Sequence, residues 1–171
     1  MPHQTPRPEM AFSYRDATPA DLGLTYDITR EAMQPHVIQT FGEWNENEQS
    51  LKHRTNYRPE THKILCVGGA EAGLVAVEDA VDHLWLVKLY LRSAFQQQGL
   101  GTVVLRGVIA AANSQDKPVR LRCLRANLRA QALYRRHGFV VTSEAAERLF
   151  MERAADSRFD AATRSQGQLR L

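Results

Sequence analysis

The chain has 171 residues, 43% of them apolar, with 22 basic and 19 acidic side chains and a net charge of +3. That length builds one domain with a core of its own. The charge is too mild for a non-specific nucleic-acid binder, and the longest apolar runs fall far short of the ~20 residues of a membrane span. Neither nucleic acid nor membrane is therefore expected as a partner. Residues 1–10 carry three prolines and no apolar signal-peptide core, and read as a flexible arm. Cys66 and Cys123 stand alone in apolar, strand-like segments. They read as small buried residues, with no disulfide and no metal site, in a reduced, cytoplasmic setting.

In chain order, Phe12 to Arg15 reads as a strand. Thr18-Pro19-Ala20-Asp21 starts a helix, with Thr18 as cap, Pro19 in the first turn and Asp21 favourable to the dipole. The pattern ends that helix near Met33, before Pro35, and predicts a second helical segment from Val37 to Tyr57, interrupted near Gly42. Lys63 to Val67 and Gly73 to Glu78 form a hairpin around Gly68-Gly69-Ala70-Glu71. His83 to Arg92 is a longer strand. Apolar residues at 100, 103, 104, 108 and 111 give Leu100 to Asn113 one buried helical face. Val119 to Leu124 alternates as a strand, and Ala126 to Arg136 is a helix stopped by Gly138. Phe139–Val141 and Leu149–Met151 pair last. The polar stretch 154–171 lacks period and reads as a mobile tail or late addition. The strand–helix–strand unit around 84–124 makes its strands parallel inside an otherwise antiparallel sheet.

Gln96-Gln97-Gln98-Gly99-Leu100-Gly101 joins a strand to a helix. The first N–H groups of a helix have no internal partner and carry partial positive charge, so this loop is an anion site. Its two glycines let a phosphate approach the backbone. The chain has no Gly-x-x-x-x-Gly-Lys-Ser/Thr run, and Val104 stands where a dinucleotide-binding loop needs its third glycine. Protein kinases need a longer chain and other motifs. Arg120, Arg122, Arg125, Arg129, Arg135 and Arg136 are the one basic concentration, readable as a solvated face or as an anion-attracting patch.

Gln96-x-x-Gly99-x-Gly101 resembles the acetyl-CoA pyrophosphate loop of the GNAT superfamily of N-acetyltransferases. Downstream, Asn127-x-x-Ala130-x-x-Leu133-Tyr134-x-x-x-Gly138-Phe139 resembles a second signature of that family. The resemblance covers roughly residues 12–152 and is sharpest over 84–140. It implies an α/β fold: a mixed, mostly antiparallel sheet with a central splayed parallel strand pair, flanked by helices. The N-acetyltransferase domain would span 11–153, between the arm and the tail.

The resemblance also implies roles. The backbones of Leu89, Tyr90 and Leu91 would hold the pantetheine arm, and the loop Gln96, Gln97, Gln98, Gly99, Leu100, Gly101 and Thr102 the pyrophosphate. Asn127 would contact the cofactor arm while capping its helix, and Tyr134 would protonate the departing thiolate. Tyr134 also suits a plain core aromatic. The implied reaction is direct attack of an amine on acetyl-CoA in a ternary complex, with the Leu91 N–H polarising the carbonyl and Cys123 not needed as a nucleophile. Homodimers are common in the family, so a homodimer is expected by analogy.

The acceptor, a small-molecule or peptide amine, is less legible. Some ribosomal-protein acetyltransferases of the family carry a glutamate base where this chain has Arg122, which cannot act as a base. Glu78 or His83 through water, or bulk solvent, would take the proton. Arg122 in the acceptor site would favour a carboxylate- or phosphate-bearing amine. Glu43 and Trp44, in an acidic run through Glu48, would instead hold a cation. A CoA-binding module without catalysis, or an acyltransferase using a longer acyl-CoA, are the alternatives.

Overall fold

The computed structural model describes residues 11–156; the predicted N-terminal arm and most of the C-terminal tail lie outside them. Strand β1 (Phe12–Asp16) leads to a short turn at Pro19–Asp21, where the Asp21 carboxylate gathers four donors. Arg15 donates twice, at 3.0 and 2.8 Å, and Thr18 donates its backbone N–H at 2.8 Å and its hydroxyl at 2.9 Å. These bonds, those from Arg15 foremost, hold the carboxyl well below the usual carboxylate range. The turn thereby fixes the entry of helix α1 (Leu22–Phe41).

Helix α1 does not stop before Pro35. It runs through the proline to Phe41 and ends at Gly42, whose φ of 90° is left-handed. A proline inside a helix removes one N–H, here the partner of the Glu31 carbonyl, and costs about 3 kcal/mol. Packing of α1 on the sheet offsets that cost; Ile28 is fully buried against Ile64 and Leu74. Helix α2 (Glu46–Asn56) begins at Asn45, whose side chain accepts from the Glu48 N–H. Glycine at 42, not proline at 35, therefore separates the two helices.

Strands β2 (His62–Val67) and β3 (Ala70–Asp79) form the expected hairpin. Its turn is only Gly68-Gly69, with φ of 58° and 83°, the two-residue geometry that fits the twist of paired strands. Strand β4 (Leu84–Leu91), helix α3 (Leu100–Asn113), strand β5 (Val119–Leu124), helix α4 (Leu128–Arg136) and strands β6 (Val140–Glu144) and β7 (Arg148–Arg153) follow. The sheet order is β1-β2-β3-β4-β5-β7-β6. Among the described residues only β4 and β5 run parallel, so the mixed, mostly antiparallel sheet agrees with the expectation.

One face of the sheet packs on α3 and α4 through Leu84, Leu86, Val104, Leu105, Leu121 and Tyr134. The other packs on α1 through Ile28, Ile64, Leu74 and Tyr90. Strands β4 and β5 pair only at Leu84↔Val119, Trp85↔Arg120 and Leu86↔Leu121. Beyond these residues they part, and nothing in the sheet fills the gap. The parting coincides with a bulge: Val77 pairs with Leu86 and Ala76 with Lys88, so Val87 is the extra residue of β4. Leu84 and Leu86 face α3, and after the bulge so do Leu89 and Leu91. Lys88 and Tyr90 are thereby turned to the α1 side.

Gly73 holds β4 in place from behind. A Cβ there would lie 2.4 Å from the Tyr90 carbonyl oxygen and 2.7 Å from a Leu91 methyl. Gly73→Ala must push β4 outward, and overpacking of this kind costs about 1–3 kcal/mol. Chemical denaturation should show that loss. Asp21→Asn should cost about 1–2 kcal/mol at pH 7. A depressed carboxyl pKa stabilises the fold above its unfolded value near ~4 and loses that effect as pH falls. The difference between wild type and Asp21→Asn should therefore shrink in unfolding curves taken at pH 3.

Candidate active site

The loop after β4 is built to leave N–H groups free. Gly99 precedes α3 with φ of 87°, and Gln97 has φ of 61°, a left-handed value rare outside glycine. The first bond of α3 runs from the Val103 N–H to the Gly99 carbonyl at 3.1 Å. The N–H groups of Leu100, Gly101 and Thr102 therefore have no acceptor within the helix. A Cβ on Gly99 would meet open space, so this position needs glycine for its φ. At Gly101 a Cβ would make ordinary van der Waals contact with the Leu133 and Leu91 side chains at 3.7 Å, where α3 meets α4 and β4.

Side chains pin the loop. Gln96 donates from Nε2 to the Leu91 carbonyl at 2.9 Å and accepts from Arg129 at 3.0 Å, which ties β4 to α4 across the mouth of the gap. Gln98 donates to the Ala94 carbonyl at 2.7 Å. Glu31 of α1 accepts from Arg92 at 2.9 Å and from the Ser93 N–H at 2.7 Å, anchoring the loop's first turn. Leu100 is buried, and Gln96, Gln97, Gly99, Gly101 and Thr102 line the cleft below.

The parted strands expose backbone. The Arg92 N–H bonds to the Ala72 carbonyl at 2.9 Å, so it points toward β3. Alternation along the strand then turns the peptide groups of Leu89 and Leu91 toward the gap. On its far side, Asn127 caps α4 by accepting from the Ala130 N–H at 3.1 Å. Gln131, which is buried, donates to the Arg125 carbonyl at 2.8 Å and holds α4 to the end of β5.

Tyr134 projects from α4 into the gap, its ring 5.6 Å from that of Phe139. Burial foremost, with added repulsion from Cys123 and Tyr90, raises its pKa far above 10, so the phenol keeps its proton. Cys123 is partly buried and its thiol is also pushed up by burial. It is therefore a poor nucleophile. Among the described residues, no group of three or more His, Cys, Asp or Glu is placed to hold a metal, and no helix is long and apolar enough to cross a membrane.

A continuous cleft of about 1090 Å³ runs from this loop through the gap to the α1–α2 side of the sheet. There it is lined by Trp44, His53, His62, Glu78, Lys88 and Arg122, among others. Trp44 is held by a 2.9 Å bond from its indole N–H to Glu46. Glu43 is exposed and does not line the cleft, and Glu46 faces Arg30 at 3.7 Å. The acidic run thus contributes an aromatic wall and no carboxylate to the cleft. Of the two proposed bases, Glu78 lines it. His83 does not; it is engaged by Asp82 at 2.7 Å and Arg120 at 3.2 Å.

Four cleft residues had no signal in the sequence. His53 and His62 flank Tyr57, with ring distances of 5.7 and 5.2 Å. His53 contacts the Thr25 hydroxyl at 2.9 Å. Because that hydroxyl donates to the Leu22 carbonyl, His53 Nε2 is assigned the proton. His62 Nδ1 donates to the Arg58 carbonyl at 2.7 Å, which leaves Nε2 as a buried lone pair without a partner. Burial first, and the Lys88 charge second, bring both imidazoles down to about 4, so both are neutral at pH 7. Burial lowers Lys88 itself to about 8. The fourth residue is Arg148, brought beside Arg122 by the pairing of β5 and β7.

A model of the acetyltransferase (GNAT) family matches residues 25–139. No curated protein is significantly similar in sequence. The fold is similar to that of the PaiA N-acetyltransferase of Thermoplasma acidophilum solved in complex with coenzyme A, at 18% identity, 85% coverage of this chain and 99% of that one, and a TM-score of 0.68. Ard1 of Thermoplasma volcanium is similar at 20% identity, with 85% and 99% coverage and a TM-score of 0.61. The ribosomal-protein-alanine N-acetyltransferase of Escherichia coli is similar at 19% identity, with 88% and 99% coverage and a TM-score of 0.64. With the amide-lined loop, the parted strands and the family match over most of the described residues, this chain belongs to the GNAT acetyltransferase family.

Proposed function

We propose that the protein transfers an acetyl group from acetyl-CoA to a primary amine by direct attack in a ternary complex. The observation that carries this reading is the gap between β4 and β5, which joins a phosphate-binding loop on one side to an acceptor cleft on the other. The free N–H groups of Leu100, Gly101 and Thr102 suit a pyrophosphate, and Arg129 adds a cation beside Gln96. The unpaired edge at Leu89 and Leu91 suits the amide-bearing pantetheine arm. The residues therefore fit coenzyme A, whose thioester supplies the acetyl group. In the transfer, the amine nitrogen forms the new C–N bond as the C–S bond breaks, and the thiol is released.

The Leu91 N–H, aimed into the gap, stabilises the carbonyl oxygen as negative charge develops there. Tyr134 keeps its proton because burial raises its pKa. A thiol ionises near ~8.5, so a thiolate is a weaker base than the phenolate of Tyr134. Tyr134 therefore acts by donating a hydrogen bond to the departing sulfur, and the proton balance is met by the amine. Lys88, Arg122 and Arg148 put positive charge beside the acceptor and favour the neutral amine over its ammonium form. Water in the open cleft takes the proton that the ammonium form loses before attack, and one proton of the neutral amine ends on the released thiol. The free cysteines fit a reduced, cytoplasmic setting.

Release of CoA thiol should depend on both acetyl-CoA and an amine from a broad panel. Tyr134→Phe should lower kcat and kcat/KM together by about 100-fold, with little change in affinity for CoA. Saturable CoA binding with no turnover on any amine would point to a binding module. Faster turnover with a longer acyl-CoA would reassign the donor.

A further inference from the structure

Several cations have carboxylate partners: Arg15 with Asp21, Lys63 with Asp16, Arg92 with Glu31, Lys117 with Asp79 and Arg120 with Glu152. Three that line the acceptor half of the cleft differ. Among the described residues, no carboxylate pairs with Lys88, Arg122 or Arg148. Their placement follows from register. Leu124 pairs with Arg148 and Arg122 with Phe150, so Arg122 and Arg148 share one face of the sheet. Cys123, Leu149 and Met151, on the opposite face, belong to the core under α3. Both guanidinium groups act on Tyr90. The bulge at Val87 turns Lys88 and Tyr90 to this same side.

The two carboxylates of the cleft do not balance this charge. Glu31 is taken by Arg92 and Ser93, which leaves Glu78. His53 and His62 add no charge of either sign at pH 7. The donor does not need these arginines, because its phosphate loop lies at the start of α3 and has Arg129 beside it.

Resting on the acetyltransferase reading, we propose that the acceptor is a small amine carrying a carboxylate or phosphate a few bonds from its nitrogen, and that Arg122 and Arg148 bind that oxyanion. Two adjacent guanidinium forks match the paired oxygens of either group. Lys88, deeper in the cleft, adds a third cation. Trp44, His53 and His62 supply walls for the short carbon chain between the two ends of the acceptor.

The test is calorimetric binding of four probes to the full-length protein saturated with CoA: γ-aminobutyrate, aminopropyl phosphate, aminobutanol and spermidine. The two anionic amines should bind roughly 10- to 100-fold more tightly than aminobutanol. Whichever anionic amine binds better identifies the oxyanion. Arg122→Gln with Arg148→Gln should erase the preference, and Arg122→Lys with Arg148→Lys should keep part of it. Equal or tighter binding of aminobutanol or spermidine would overturn the proposal. So would a preference that survives the double glutamine variant while circular dichroism shows an intact fold. Failure of the acetyltransferase reading looks different: the anion preference persists, but no probe releases thiol from acetyl-CoA.

Discussion

The organisation of the molecule rests on the parting of β4 from β5. Two parallel strands that paired along their full length would close the sheet and leave no passage between its faces. Here the ladder holds for three residue pairs, from Leu84↔Val119 to Leu86↔Leu121, and stops where Val87 bulges. The cost is backbone on both strands that no neighbouring strand pairs; side chains satisfy part of it, as Gln96 does the Leu91 carbonyl. The surrounding packing keeps that edge in place: Gly73 lets β3 press against Tyr90 and Leu91, and Gln131 fixes α4 to the end of β5. An extended ligand with amide groups of its own can complete the ladder. The same bulge decides which side chains face which half of the cleft.

Electrostatics divide the cleft in two. On the loop side, positive character comes from backbone dipoles and Arg129, a fixed arrangement that needs no titratable group. On the acceptor side it comes from Lys88, Arg122 and Arg148 around Tyr90, next to two histidines that burial keeps neutral. A positive acceptor half and a strongly raised phenol pKa act together. In the proposed reaction the first would favour a neutral amine, and the second would keep Tyr134 a hydrogen-bond donor beside the sulfur. No single residue has to serve as a dedicated base.

The elements from 84 to 140 were legible because each carries a strong local signal. Leu100–Asn113 and Val119–Leu124 have the predicted bounds. The glycines of the 96–101 loop report backbone angles that few other residues adopt, and Asn127 caps α4. The first helix was misjudged because Pro35 is a local signal against helix that packing on the sheet overrides. The acceptor side was hard to read for a different reason. Lys88 faces that side only because a bulge reverses the alternation of β4, and Arg148 reaches Arg122 only through the pairing of β7 with β5. Neither fact has a trace in residue spacing. The acidic run at 43–48 misled in the opposite direction: Glu43 stays in solvent and Glu46 is neutralised by Arg30.

The central claim is that one ligand spans the amide-lined loop and the open edge of β4. The most direct measurement is an amide NMR titration of the isotopically labelled protein with acetyl-CoA. The account predicts large, saturating shifts at the N–H groups of Gln97 to Thr102 and, at the same ligand concentrations, at Leu89 and Leu91. Shifts confined to other parts of the surface, or a loop response without any change along β4, would contradict it.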